Sequence, residues 1–290
     1  MRRLKILILI ISIAVIAVFT IVRVREYATS DYQAPVITAR ENHVYVSVSA
    51  SEEDLLADVT AMDNLDGDVT DTLVLVSKTK FITKGTLRAN YAAFDKNNNV
   101  GTYTREVTYT DYVSPRFSMD APLRFQSGSS SYDYLSNVTA EDCLDGDLTQ
   151  QIKVSLGSTE AQSDASTYRP IHLQVTNSAG DTSSLDVYAY FLDYSSYTMA
   201  APALSNYVVY TGVGVRPQMR DLLIGVRTGK TVRGFSESGY DPTTDVSISD
   251  GSLDVNTPGV YIVTYQLSRV NNAGVRSDLG TTDLIVIVEE

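Results

Sequence analysis

From Leu4 to Val22 the chain reads LKILILIISIAVIAVFTIV, and only Lys5, Ser12 and Thr20 interrupt its apolar positions. That is about 19 residues, against the ~20 a helix needs to cross a ~30 Å hydrocarbon core. The pattern predicts a single-pass membrane helix with residues 6–22 in lipid. Arg2, Arg3 and Lys5 precede the run, and Arg23 and Arg25 follow it. This bias places the N-terminus in the cytoplasm and the C-terminal region outside the cell. Bulky and basic residues in FTIVRVREY stand where a cleavage site needs small ones. An uncleaved signal anchor over 1–26 is expected, with a cleaved signal as the alternative.

After residue 26 the period changes to two. HVYVSVS (43–49) alternates Val44, Val46 and Val48 with Tyr45, Ser47 and Ser49. GVYIVTYQL (259–267) does the same, and DLIVIV (283–288) predicts a last strand. β-branched and aromatic residues fill these runs, while Gly, Asn and Asp punctuate them. No stretch beyond the anchor shows helical periodicity.

The chain also repeats. A proline after a small residue opens three units, at Pro35, Pro115 and Pro202, spaced by 80 and 87 residues. LADVTAMDNLDGDVT (56–70) returns as LSNVTAEDCLDGDLT (135–149). Each unit has a late Asn/Gly-rich turn: FDKNNNVGT (94–102), VTNSAGDT (175–182) and VNNAGVRS (270–277). Units of 80–90 residues with about seven short strands predict β-sandwiches. The expected organisation is a membrane helix (1–26), a linker (27–33) and three tandem Ig-like β-sandwiches. These cover 34–112, 113–196 and a divergent 197–290, making an all-β fold after the helix.

The run VTAMDNLDGDVT followed by GTLRANYAAFDKNNNVGTYTREVTY resembles the bacterial immunoglobulin-like domains of surface proteins, of the DUF5011-like, Cry22Aa type. The third unit matches only the later part, in TPGVYIVTYQLSRVNNAGV (257–275), and has LLIGVRTGKTVRG (222–234) in place of the acidic segment. The resemblance implies a fold and a cell-surface setting, and no reaction.

The acidic turns leave two readings open. An EF-hand puts oxygens at loop positions 1, 3, 5, 7, 9 and 12. Asp63, Asp66 and Asp68 occupy 1, 4 and 6, and Val74 stands where the Glu belongs, so this is no EF-hand. Asp66-Gly67 and Asp145-Gly146 suit a tight turn between strands. The other reading is a weak calcium site on Asp63, Asp66 and Asp68, and on Asp142, Asp145 and Asp147, completed by acids elsewhere in the unit. Calcium is the one cofactor the sequence nominates.

Charge narrows the partners. Beyond residue 26 there are 18 basic and 34 acidic residues, which argues against a phosphate-neutralising face and hence against nucleic acid. One local exception is Arg216, Arg220, Arg227, Lys230 and Arg233, with Asp221 the single acid among them. As a patch they would suit an anionic glycan or an acidic protein surface. The single cysteine, Cys143, excludes a disulfide framework. TGKT (228–231) lacks the P-loop glycine spacing, and SKTK (77–80) lacks its companion motifs. The sequence therefore points to a non-catalytic, membrane-anchored surface protein acting as a stalk or adhesion-type binding module. The alternative is an accessory ectodomain of a membrane complex for envelope-polymer assembly or export.

Overall fold

The structure, a computed structural model, describes residues 2–29, 31–163, 166–270 and 274–290. Residues 271–273 of the third late turn lie outside the described residues. Helix α1 (Arg2–Thr29) carries the apolar run. Its stretch Arg3–Arg25 is long and apolar enough to cross a membrane, with a mean hydropathy of 2.9 and no residue buried against the rest of the chain. The helix continues three residues past the expected anchor end at 26. All that follows is β-rich, arranged in three pairs of sheets, within two compact units, Met1–Tyr112 and Val113–Glu290.

The first sandwich uses β1 (Val36–Ala39), β2 (His43–Val46), β3 (Val59–Asp63), β4 (Gly67–Asp68), β5 (Val74–Lys78), β6 (Thr86–Phe94) and β7 (Val100–Tyr109). One sheet runs β1-β3-β4 and the other β2-β7-β6-β5. β2 pairs parallel with β7, while the remaining pairs are antiparallel. An opening segment shared between both sheets, its second half parallel to the last strand, makes this an Ig-like sandwich. The core follows from period two: in β3, Val59, Ala61 and Asp63 point in, while Thr60 and Met62 point out. β2 stops at Val46, short of the alternation to Ser49. There the Ser47 hydroxyl and the Val48 N–H donate to Asp111, at 2.6 and 2.7 Å, and turn the chain away from the sheet.

Helix α2 (Glu52–Leu56) is absent from the periodicity because it is a single capped turn. Ser51 accepts from Asp54 N–H at 3.2 Å and Asp54 accepts from Ser51 N–H at 2.8 Å, a capping box. It plugs Leu55 into the core and presents the Leu55 carbonyl to a buried cation. Arg105, with its side chain fully enclosed, donates to that carbonyl at 2.6 Å, to the Tyr91 hydroxyl at 3.1 Å and to Asp58 at 2.8 Å. The Tyr91 hydroxyl donates to the same carbonyl at 3.0 Å.

The second unit holds two sandwiches. One uses β8 (Arg116–Met119), β9 (Arg124–Gln126), β10 (Val138–Asp142), β11 (Gly146–Asp147), β12 (Lys153–Leu156), β13 (Glu160–Ser163), β14 (Ser166–Thr176) and β15 (Thr182–Leu192). After the short helix α3 (Tyr194–Tyr197), the other uses β16 (Ala201–Leu204), β17 (Val208–Gly212), β18 (Leu223–Thr228) and β19 (Thr231–Arg233). Helix α4 (Phe235–Ser238) then leads to β20 (Val246–Ser249), β21 (Gly259–Val270) and β22 (Arg276–Glu289). In each the opening segment again divides, with β9 parallel to β15 and β17 parallel to β22. These two sandwiches are not separate beads. One apolar cluster runs through both, from Phe117 and Leu173 to Tyr265 and Val286. Backbone bonds join them, with Tyr207 N–H donating to the Met119 carbonyl at 2.8 Å. In the last sandwich the buried Tyr265 hydroxyl donates to the Met219 carbonyl at 2.7 Å, and burial pushes its pKa up to about 12.

Candidate metal centre

The first acidic turn closes β3 onto β4, with Asp63 facing Gly67 in register. Gly67 sits at φ +76°, a left-handed conformation open to glycine at no steric cost. Asp63 Oδ1 accepts from Leu65 N–H and Asp66 N–H, both at 2.8 Å. Asp66 accepts from Lys96 N–H at 2.8 Å and from Lys96 Nζ at 3.0 Å. Asp68 accepts from Thr70 N–H at 3.0 Å. These donors favour the ionised carboxylates. The Asp66 N–H holds Asp63 below the ordinary value against the opposing effect of desolvation, Lys96 does so for Asp66, and Thr70 for Asp68.

The second acidic turn repeats the construction. Asp142 Oδ1 accepts from Leu144 and Asp145 N–H at 2.9 and 3.0 Å, and Asp147 from Thr149 N–H at 2.8 Å. Asp145 accepts from the Ser178 N–H and hydroxyl at 2.6 and 2.7 Å. Both oxygens of Asp66, Asp142 and Asp145 accept hydrogen bonds, and Asp68 and Asp147 each accept one at Oδ1. Cys143, where the first turn has Asn64, donates to the Val113 carbonyl at 3.1 Å.

Asp63 reaches further. It meets Asp31, from the segment after α1, and Asp95, from the late turn between β6 and β7. One oxygen from each carboxylate lies within 4.8 Å of the other two, and all three residues are buried. Two oxygens of this set, Asp31 Oδ2 and Asp63 Oδ2, are enclosed with no hydrogen-bond donor. The opposite oxygens are fixed from behind. Gln33 N–H donates to Asp31 Oδ1 at 2.9 Å, and Asn99 N–H to Asp95 Oδ1 at 2.7 Å. Asn99 Nδ2 bridges Asp95 Oδ2 at 2.6 Å and the Asp31 carbonyl at 3.1 Å, pinning the incoming segment to the turn. Gly101 makes this approach possible. A Cβ there would stand 2.0 Å from the Pro35 carbonyl oxygen. Three oxygen donors around one point, with no sulfur or imidazole, form a set suited to a hard divalent cation.

Asp31 and Asp95 were not among the acids nominated from sequence. A signal existed in the repeat: DYQAP (31–35) returns as DYVSP (111–115), and Phe94-Asp95 aligns with Thr176-Asn177. The second sandwich makes a different use of these positions. Asn177 stands where Asp95 does, and its Nδ2 donates to Asp142 Oδ2 at 3.1 Å. Its Oδ1 accepts the turn N–H of Asp181 at 2.9 Å, as Asp95 does from Asn99. Asp111, the counterpart of Asp31 in sequence, is committed to Ser47 and Val48.

The five basic residues of 216–233 differ in their surroundings. Arg216 pairs with Asp250, and Arg220 donates to the Pro242 carbonyl at 2.7 Å. Arg227 leans over the Tyr207 ring, its guanidinium carbon 5.9 Å from the centroid and its Nε buried without an acceptor. Lys230 and Arg233 are exposed on the β18–β19 hairpin, whose turn is the TGKT segment. Register places Arg233 opposite Val226 and Arg227 opposite Val232. Cross-strand partners share a face, so Arg227 and Arg233 lie on opposite faces of the hairpin. His172 is held by Asp186 at 2.7 Å, and His43 by the Thr108 hydroxyl at 2.7 Å, as strand-face pairs.

No protein-family model matches the sequence, including the DUF5011-like family it resembles. No curated protein matches it either. Among solved structures, a chain carrying CBM51-2 and INT domains of Clostridium perfringens ZmpB matches at 12% identity, over 55% of this chain and 44% of that one, with a TM-score of 0.22. The Protocadherin GammaB4 extracellular domain matches at 12% identity over 89% and 50%, with a TM-score of 0.20. Human CDH23 EC21-23 matches at 14% over 88% and 100%, with a TM-score of 0.22. This chain spans half or less of the length of the first two. At TM-scores near 0.2 these likenesses carry no functional argument.

Proposed function

We propose that the protein is a membrane-anchored, non-catalytic surface module of bacterial type, in which α1 spans the cell membrane once and tandem Ig-like sandwiches of the DUF5011-like kind are displayed outside to bind a protein or glycan. One observation carries the reading. The stretch Arg3–Arg25 exposes apolar side chains all round, and none of the described residues covers them. A helix apolar on every face finds its partner in hydrocarbon. It leads within a few residues into an Ig-like sandwich, and Asp31, two residues past α1, belongs to a buried acidic centre. The net acidity of the displayed part keeps it soluble and away from anionic lipid.

The test is a comparison of full-length protein with a chain whose residues 6–22 are replaced by an unrelated apolar span, both captured from cross-linked membranes. A surface binding module keeps its partners in both, because they engage the sandwiches. Loss of a membrane complex on replacing the span would instead make the protein an accessory subunit held through its helix.

A further inference from the structure

We infer that Asp31, Asp63 and Asp95 hold one calcium ion per chain, and that this ion ties the segment leaving the membrane helix to the first sandwich. The tethering half of the inference rests on the reading of α1 as a membrane span; the calcium half does not.

Asp31 Oδ2 and Asp63 Oδ2 are buried with no donor. A buried carboxylate oxygen without a donor is costly, and three carboxylates converging on one point add mutual repulsion. A single divalent cation relieves both. The donor set is all oxygen, which excludes the thiolate and imidazole chemistry that zinc and copper favour. Ligand number selects within the hard cations. Magnesium keeps several waters and is usually held by one or two carboxylates, whereas calcium takes about 6–8 oxygens, carboxylates and carbonyls among them. Three converging carboxylates, with separations of no more than 4.8 Å, suit calcium. The rear oxygens of all three carboxylates already accept backbone N–H bonds, from Gln33, from Leu65 and Asp66, and from Asn99. Such outer bonds orient ligands toward an ion.

The second sandwich supplies an internal control. The same turn geometry with Asn177 in place of Asp95 satisfies Asp142 by an amide bond, and among the described residues there no buried carboxylate oxygen is orphaned. One fold position is thus solved twice, by an amide in one sandwich and by a third carboxylate in the other. The stoichiometry follows as one, not two. The position of the ligands gives the consequence. Asp31 lies two residues beyond the last residue of α1, Thr29, whereas Asp63 and Asp95 belong to the sandwich. Occupancy therefore closes the exit of the helix onto the domain.

The experiment uses purified full-length protein in detergent micelles, stripped with EDTA and titrated with calcium or magnesium chloride by calorimetry. Wild type should bind one calcium per chain, at least ten times more tightly than magnesium. Asp95→Asn should weaken calcium binding by more than about 100-fold, beyond the ~10–100-fold that loss of an outer-shell partner costs. Because it copies Asn177, this variant should fold, and its melting temperature without calcium should exceed that of stripped wild type. Chymotryptic cleavage after the exposed Tyr32 should slow at least tenfold with calcium in wild type and not in Asp95→Asn. No binding up to 10 mM calcium, or binding that Asp95→Asn leaves intact, overturns the metal assignment. Equal affinity for magnesium overturns the choice of ion. Binding without slowed cleavage overturns the tether. None of these outcomes bears on membrane display, which is measured separately on cells.

Discussion

Gly101→Ala perturbs the acidic centre from a distance, without touching a carboxylate. The added Cβ would lie 2.0 Å from the Pro35 carbonyl oxygen and 2.9 Å from its carbon, where ordinary contact begins at 3.4 Å. Both obstacles are backbone atoms, so no side-chain rotation relieves them, and β7 and the 31–35 segment must separate by about 1.4 Å. Overpacking of this kind costs about 1–3 kcal/mol. Restricting the unfolded chain returns about 0.4–1 kcal/mol. The net loss should be about 1–2 kcal/mol, or roughly 4–16 °C on the transition of a domain this size. The effect on the metal should be larger than the effect on the fold. Metal–ligand distances tolerate about ±0.2 Å, and a shift of over an ångström at Pro35 is transmitted along four residues to Asp31. Calorimetric calcium titration and thermal unfolding of the full chain in micelles, with and without EDTA, give both numbers. Calcium affinity should fall at least tenfold. Wild-type affinity together with a stability loss under 0.5 kcal/mol would show that the segment does not pack on β7 as described, and would refute the reasoning.

Arg105→Met should destabilise the first unit by about 3 kcal/mol in urea unfolding, the lower end for a broken buried ion pair, because Asp58 is partly exposed and can rehydrate; a loss under 1 kcal/mol would mean that water already reaches the guanidinium. Asp66→Asn should leave calcium affinity within about threefold of wild type, since Asp66 is engaged by Lys96 and contributes only its N–H to Asp63; a loss comparable to that of Asp95→Asn would put Asp66 in the coordination shell. Tyr265 has a folded pKa of about 12, above its ordinary value near 10, so its contribution is complete below pH 10 and is lost as pH rises towards 12. Alkaline unfolding of the second unit should lose on the order of 2–3 kcal/mol over that window, and Tyr265→Phe should flatten it.

Much of the architecture can be read directly from period and punctuation. The long apolar run becomes α1, the alternation at 259–267 becomes β21, and the two Asp-Gly pairs become left-handed turn positions at Gly67 and Gly146. The site was less legible because its members are distant in sequence. Residues 31, 63 and 95 come from a linker, a strand end and a late turn, and only the fold brings them together. Local spacing drew attention to Asp66 and Asp68, which the structure shows bonded to Lys96 and Thr70. For the basic run at 216–233 the structure adds what the spacing leaves open, the face on which each cation lies. Proximity along a strand pair alternates between faces, so five cations within eighteen residues need not share a surface. The union of the last two sandwiches into one unit was also hidden, since the bonds that join them, such as that between Tyr207 and Met119, leave no pattern in either repeat alone.

Display on the outer side of the membrane is the claim on which the functional reading depends, and the chain carries its own reporter. Cys143 is the sole cysteine, it is exposed, and it lies in the second sandwich, far from the apolar helix in sequence. Intact cells treated with a small membrane-impermeant maleimide should label Cys143 to the same extent as cells permeabilised first, and Cys143→Ser should abolish the signal. Labelling that appears only after permeabilisation would place the sandwiches inside the cell and contradict the account.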